Sequence, residues 1–261
     1  MKKFIKPLLA VVIYLVVQGI TGGFIGIVYA LIKPEFAEAL SSGNIPAGYL
    51  AVSTMVAGII SIAIIHSMKL INWSTVFKCG KVQSSNFWFP LIAAIAGLFS
   101  ITVFEEQLQL ENLMKDQFEG MMNSVIGVFS ISIFVPIIEE LCFREAVLGG
   151  MLRKGVRPWV AIAISALVFG LAHLNPVQIV GGGLIGLILG IIYFKSGNIV
   201  LTTILHIFNN SLATCLALKF GMDATLSDIV GSSTVAIIIG IICAVLCVTL
   251  FVRYWKHTRQ D

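Results

Sequence analysis

The sequence predicts an all-α fold, a polytopic membrane helix bundle of about eight transmembrane helices with both termini cytoplasmic. Three observations predict it. Of 261 residues, 58% are hydrophobic and 11% charged, with a mean hydropathy of +0.99, where a soluble domain carries about 45–50% and ~25%. Apolar runs near the ~20 residues that cross a bilayer recur along the chain. The charges are sorted by side. With an even number of spans and the N-terminus inside, Lys2, Lys3, Lys6, Lys69, Lys78, Lys81, Arg144, Arg153, Lys154, Arg157, Lys195, Arg253, Lys256 and Arg259 fall to the inner half, and only Lys33, Lys115 and Lys219 to the outer. That asymmetry is what the positive-inside rule requires. The formal charge of +4 forms no basic stripe, so no nucleic-acid partner is expected.

The spans follow in order. The first, 7–32, comes after Met1-Lys2-Lys3-Phe4-Ile5-Lys6, a start like that of a signal peptide. Its apolar run is too long for one, and it reads as a retained span. Span two is 48–66. The loop 69–86, with Trp73, Lys78 and Lys81, suits an inner interfacial anchor. Span three, 87–104, leads into the amphipathic segment 105–120, expected at the outer interface. Spans four to eight are 121–150, 158–174, 177–194, 198–218 and 229–252, the short pieces near 158–194 leaving room for a re-entrant element. Span six repeats Gly182, Gly186 and Gly190 every four residues, a ridge that lets another helix approach closely. The whole chain, 1–261, reads as one membrane domain with no internal repeat. Its five cysteines (Cys79, Cys142, Cys215, Cys243, Cys247) lack any CxxC pair and read as buried small hydrophobes.

Charged side chains inside spans cost several kcal/mol (about 2.5–3.5 on insertion scales) and mark function. They gather in three places: Glu139, Glu140, Arg144 and Glu145 in span four, His173 and Asn175 at the end of span five, and His206, Asn209 and Asn210 in span seven. On a helix Glu140 and Arg144 are i,i+4 neighbours and can pair on one face, whereas Glu139 points about 100° away and need not be neutralised by that arginine. Pro136 kinks the span and frees backbone carbonyls. The basic turn Arg153-Lys154-Gly155-Val156-Arg157-Pro158 lies midway between Glu139 and His173, so antiparallel spans bring the two to one depth. His206 and Asn210 share a helix face, with Asn209 the rival partner, and Phe169 shares a face with His173. Carboxylate, imidazoles and carboxamide in a low-dielectric bundle fit two chemistries. In one, Glu and His activate water for attack on a carbonyl and His with Asn stabilises the oxyanion. In the other, Glu139, His173 and His206 hold a divalent metal such as zinc.

Glu139-Glu140-Leu141-Cys142-Phe143-Arg144 (EExxxR), Phe169-Gly170-Leu171-Ala172-His173 (FxxxH) and His206-Ile207-Phe208-Asn209-Asn210 (HxxxN), in this order, resemble the motifs of the CPBP (Abi) intramembrane endopeptidases, related to the type II CAAX prenyl endopeptidases. The likeness covers residues 120–215, a catalytic motif core. It implies a cavity open toward the cytoplasmic side and hydrolysis of a peptide bond by a glutamate-type mechanism without a firm cofactor. Glu139 and His173 would activate water and His206 with Asn210 would form the oxyanion site. Glu140, Arg144, Phe169 and Asn209 would support them. The expected substrate is a membrane-associated peptide or protein met within the lipid bilayer, here the bacterial cytoplasmic membrane, in peptide maturation, signalling or bacteriocin self-immunity. The alternatives are a non-catalytic immunity or regulatory protein that binds a sensor kinase or toxin, and, less favoured, a proton-coupled transporter.

Overall fold

The computed structural model describes residues 2–33, 35, 36, 38, 46–76 and 84–257; Lys78, Cys79, Lys81 and Arg259 lie outside them. Apolar, β-branched and small residues fill long runs in which every backbone group must bond within its own helix, since hydrocarbon offers no partner. The result is helical with no strand among the described residues. The long helices are α1 (Lys2–Ile32), α2 (Ala47–Ser67) and α3 (Ser84–Leu108). A short interfacial helix, α4 (Lys115–Met122), then leads into α5 (Val125–Arg153). After it come α6 (Pro158–Ala172), α7 (Pro176–Ser196), α8 (Ile199–Phe220), the short α9 (Leu226–Val230) and α10 (Ser233–His257).

Seven of these helices are long and apolar enough to cross a membrane. The eighth expected span, α6, has only 15 residues, about 22 Å at 1.5 Å per residue, against a hydrocarbon thickness of ~30 Å. It stops short of the far interface. Leu174 takes a left-handed backbone (φ 53°), Asn175 is extended, and Pro176 opens α7. This irregular backbone is held by buried Asn175, whose side chain bonds the Leu113 N–H, Asn112 and Gln178. The glycine ridge of α7 receives α6: a Cβ at Gly186 would meet Ala166 at 3.1 Å and Phe169 at 3.2 Å, and one at Gly190 would meet Ile162 at 3.2 Å.

Two ends of the bundle are defined by contacts. At the basic end Lys3 donates to the Gly155 carbonyl (3.4 Å), Arg153 to that of Leu70 (3.3 Å) and Lys195 to that of Trp255 (3.2 Å), while Trp159 stacks on Trp255. There, too, Trp73 donates to His66 (2.7 Å), an aromatic anchor of the kind found at membrane interfaces. Buried Glu145 ties this end together, accepting from Arg153 (2.6 Å), the Tyr193 hydroxyl (2.5 Å) and the Asn72 N–H (3.2 Å). At the acidic end Asn175 accepts from the Leu113 N–H (3.0 Å), Lys115 pairs with Asp223 (2.5 Å), and Glu106 accepts from Leu226 and Ser227. The apolar faces of α1 and α10 stay exposed (Ile20, Phe24, Val245 and Val248 are each 62–67% exposed) and suit lipid. Of the cysteines, Cys142 and Cys247 are buried as expected, but Cys215 is exposed on the outer surface of α8.

Candidate active site

Glu139 lies midway along α5, fourteen residues from each end of Val125–Arg153. The helix there is not regular. Val125–Phe129 is α, Ser130–Phe134 π, Val135–Glu139 α, and Glu140–Gly149 π again. Such wide turns occur mostly at functional sites. Their origin here is partly Pro136. In the π register Val135 donates to the Ser130 carbonyl, five residues back, so the next N–H would serve Ile131. Pro136 has none to give, and the Ile131 carbonyl instead accepts from the Asn210 side chain of α8 at 3.0 Å.

Two imidazoles, from α6 and α8, converge on Glu139 of α5. His173, at the last turn of α6, places Nε2 3.9 Å from Oε1, and His206 of α8 places Nε2 3.6 Å from Oε2. Both gaps exceed a direct hydrogen bond. The tautomers follow from the far nitrogens. His173 Nδ1 lies 2.8 Å from the Phe169 carbonyl and His206 Nδ1 2.9 Å from Glu140 Oε1. A carbonyl or carboxylate only accepts, so each Nδ1 carries hydrogen, and a neutral ring turns its Nε2 lone pair toward Glu139. Three acceptors facing one another call for protons between them. A water donating to two of them, or a proton on one ring, satisfies the cluster.

Glu140 and Arg144, both fully buried, lie 3.3 Å apart, and their charges cancel. Glu139 is left as the uncompensated carboxylate. Phe169 is the hub of this group: the Arg144 guanidinium sits 4.5 Å over its ring, and its ring packs edge-on against His173 (5.0 Å), His206 (5.6 Å) and Phe143 (5.0 Å). Asn209 donates to Asn210 Oδ1 (3.0 Å). Asn210 thus spends its oxygen and one N–H within the protein, and one N–H remains.

The sequence analysis places no site residue in the first span, yet Tyr14 of α1 is buried with its hydroxyl a hydrogen-bonding neighbour of Glu139 and Gln18. No spacing rule links positions 14 and 139; only the packing of α1 on α5 does. Glu105 was also passed over. Expected in the outer segment, it is instead on the last turns of α3, where its carboxylate accepts from the Gly181 N–H and a Cβ on Gly181 would overlap it.

His173, His206, Asn209 and Asn210 line a cavity of about 450 Å³, and Glu139 lies behind the imidazoles, 8% exposed. Its walls reach Asn112, Phe118, Met222 and Leu226, so the mouth is at the acidic end. This conflicts with the expected cytoplasmic opening: a cytoplasmic basic end and a cytoplasmic mouth cannot both hold. For a zinc ion, bonds of about 2.0 Å in a tetrahedron put neighbouring donor atoms about 3.3 Å apart. The Glu139–imidazole gaps of 3.6 and 3.9 Å are wider, and among the described residues no group of three or more His, Cys, Asp or Glu is arranged to hold a metal. The residues as placed do not fit that ion.

A family model described as Type II CAAX prenyl endopeptidase Rce1-like matches residues 121–212, the stretch that holds all three motifs. No curated protein matches the chain, and no solved structure does. Residues 121–212 are therefore similar to the Rce1-like type II CAAX prenyl endopeptidases, the relatives the chain's motifs resemble, within a multi-pass membrane protein.

Proposed function

We propose that this protein is an intramembrane endopeptidase that hydrolyses a peptide bond in a membrane-associated peptide or protein tail, with Glu139 as general base. The single observation that carries this is the convergence of Glu139, His173 and His206 at mid-span behind an open cavity. A water seated between Glu139 and His173 Nε2 gives one proton to the carboxylate as its oxygen attacks the substrate carbonyl carbon. The negative charge moves to the carbonyl oxygen. There the free N–H of Asn210 and the Nε2–H of His206 supply donors, the imidazole carrying the added proton that the cluster calls for while Glu140 holds its Nδ1–H. Collapse of the tetrahedral intermediate breaks the C–N bond, and Glu139 returns its proton to the leaving amine. Glu140, Arg144 and Phe169 hold His206 and His173 in place without touching substrate. No step needs a metal.

The test compares membrane and exported peptides from cells that make the wild-type protein with those from cells that make Glu139→Ala or His173→Ala, at matched levels of inserted protein. Peptides cut only by the wild type are expected. Undiminished cutting by either variant would refute the assignment.

A further inference from the structure

The cavity has a closed end and an open end. Toward the basic end, the turns of α5 beyond Glu140 are sealed: Cys142, Phe143, Ala146, Val147, Leu148 and Met151 are all 0% exposed. Below them Glu145 locks α5, α7 and the loop at Asn72 together. Among the described residues these side chains stand between Glu139 and a second cavity at the basic end, lined by Lys6, Lys69, Ala146 and Arg153. Toward the acidic end the cavity is bounded by the segments around Asn112, Phe118, Met222 and Leu226.

Charge assigns these ends to opposite sides of the membrane. The described lysines and arginines, buried Arg144 aside, sit at the closed end except for Lys33, Lys115 and Lys219. An excess of Lys and Arg marks cytoplasmic loops. The open end carries nine acids, from Glu35 to Asp228, against those three bases, and one of the three, Lys115, is already paired with Asp223. Inside the mouth, the ionisable side chains of the cavity wall are Glu105, His173 and His206, with no lysine or arginine among them.

We infer that the cavity is loaded from the non-cytoplasmic side of the membrane, by a peptide segment carrying a basic residue that settles against Glu105. This rests on the hydrolase reading for what happens to the segment, but not for how it arrives. The acidic mouth draws a cationic segment inward. Glu105, half-buried on the wall and held by the Gly181 N–H, offers there a carboxylate with no lysine or arginine of the cavity wall to pair with.

Two measurements test it, and neither requires cleavage. In a background with all five cysteines replaced by alanine, Met222→Cys is expected to react with a membrane-impermeant maleimide on intact cells, and Lys154→Cys only after permeabilisation. A fluorescent protein that matures only in the cytoplasm, fused after Asp261 of the unaltered chain, is expected to fluoresce, which covers the case in which the cysteine-free protein does not fold. Labelling reversed, or a dark fusion that is made and inserted, overturns the inference. The second measurement uses Glu139→Gln protein in nanodiscs and a lysine walked along a short apolar dye-labelled peptide, with norleucine as the matched control. Lysine at one position is expected to bind about tenfold tighter than norleucine, and Glu105→Gln to bring that ratio near one. A ratio indifferent to Glu105, or no binding by any peptide, overturns it. If wild-type protein cleaves nothing while both measurements hold, the hydrolase reading fails and this inference stands.

Discussion

Replacing Arg144 by methionine removes a guanidinium with no exposed surface and leaves Glu140 as a buried carboxylate whose one remaining partner of opposite charge is a protonated His206. At 3.3 Å and an effective dielectric of ~20, the gross attraction is about 5 kcal/mol. Desolvating both ions offsets much of that, so the intact pair adds little net stability. Breaking it is different, because an uncompensated charge stays inside: Arg144→Met alone is expected to cost about 3–5 kcal/mol. The double variant Glu140→Gln/Arg144→Met removes both charges and keeps the volume, and is expected to lie within about 1 kcal/mol of wild type. The double variant is then more stable than Arg144→Met alone by about 2–4 kcal/mol, a rescue well above the scatter of independent sites. Reversible unfolding in mixed micelles, followed by tryptophan fluorescence, measures all four corners of the cycle. A double variant as unstable as Arg144→Met would refute the claim that the two charges serve to cancel each other. Cleavage adds a second reading: even the stable double variant is expected to be slow, because His206 loses its carboxylate acceptor.

The freed carbonyl at Ile131 supports a second cycle. Asn210→Ala is expected to destabilise by about 1–3 kcal/mol as a buried acceptor loses its donor, and by less when Pro136→Ala restores a backbone N–H; equal losses in both backgrounds, read as thermal midpoints, would count against the assignment. Gly186→Leu is expected to lift α6 from α7, costing at least the 1–3 kcal/mol of overpacking and impairing cleavage through Phe169 and His173, whereas Gly19→Leu, with open space around it, is expected to do neither. At the acidic end, hydrogen bonds from Thr225 hold the Asp228 carboxyl below its usual range. Its folded pKa is lowered, so the cap it makes on α9 is fully present above pH ~4 and is lost as pH falls through the folded value; amide exchange over residues 226–228 is expected to quicken there and nowhere above it. Prolonged chelation of the purified protein is expected to leave the cleavage rate unchanged, and loss of activity restored by zinc alone would overturn the water-activation scheme used above.

The spans were legible because hydropathy is a sum over many residues, and no single packing detail alters it. The polar residues were legible for the opposite reason: each one in hydrocarbon is costly, so Glu139, His173 and His206 stand out against leucine and isoleucine. Even their mutual depth could be read, since Glu139 and His173 are equally far along the chain from the turn at Val156. What could not be read depends on helix shape. A regular rise of 1.5 Å per residue leaves His206 several Å from the level of His173, and the π turns on both sides of Val135–Glu139 have no sequence signal beyond Pro136. The role of Asn210 as the acceptor's partner at Ile131 follows from those turns and was invisible without them. Tyr14 and Glu105 were missed because neither is unusual locally. A tyrosine in a first span and a glutamate at the end of a third become notable only when α1 and α3 are folded against α5 and α7.

The spacing Glu139-Glu140-xxx-Arg144 is best understood as charge accounting in a medium that tolerates no surplus. Two adjacent carboxylates cannot both face one arginine from a regular helix, and α5 places its change of register between them: the α turn ends at Glu139 and the π turn begins at Glu140. Arg144 then cancels Glu140 alone. The oxygen of Glu140 that faces Arg144, Oε1, also accepts from His206 Nδ1 and so fixes the tautomer and direction of that ring. The uncancelled carboxylate faces both Nε2 atoms and the Tyr14 hydroxyl, and the whole cluster holds one negative charge while both rings are neutral. Reversing the order, with Glu139 paired and Glu140 free, would put the reactive carboxylate at the fully buried position, out of reach of the cavity. On the proposed mechanism, the register change therefore decides which glutamate does chemistry and which one holds the histidine.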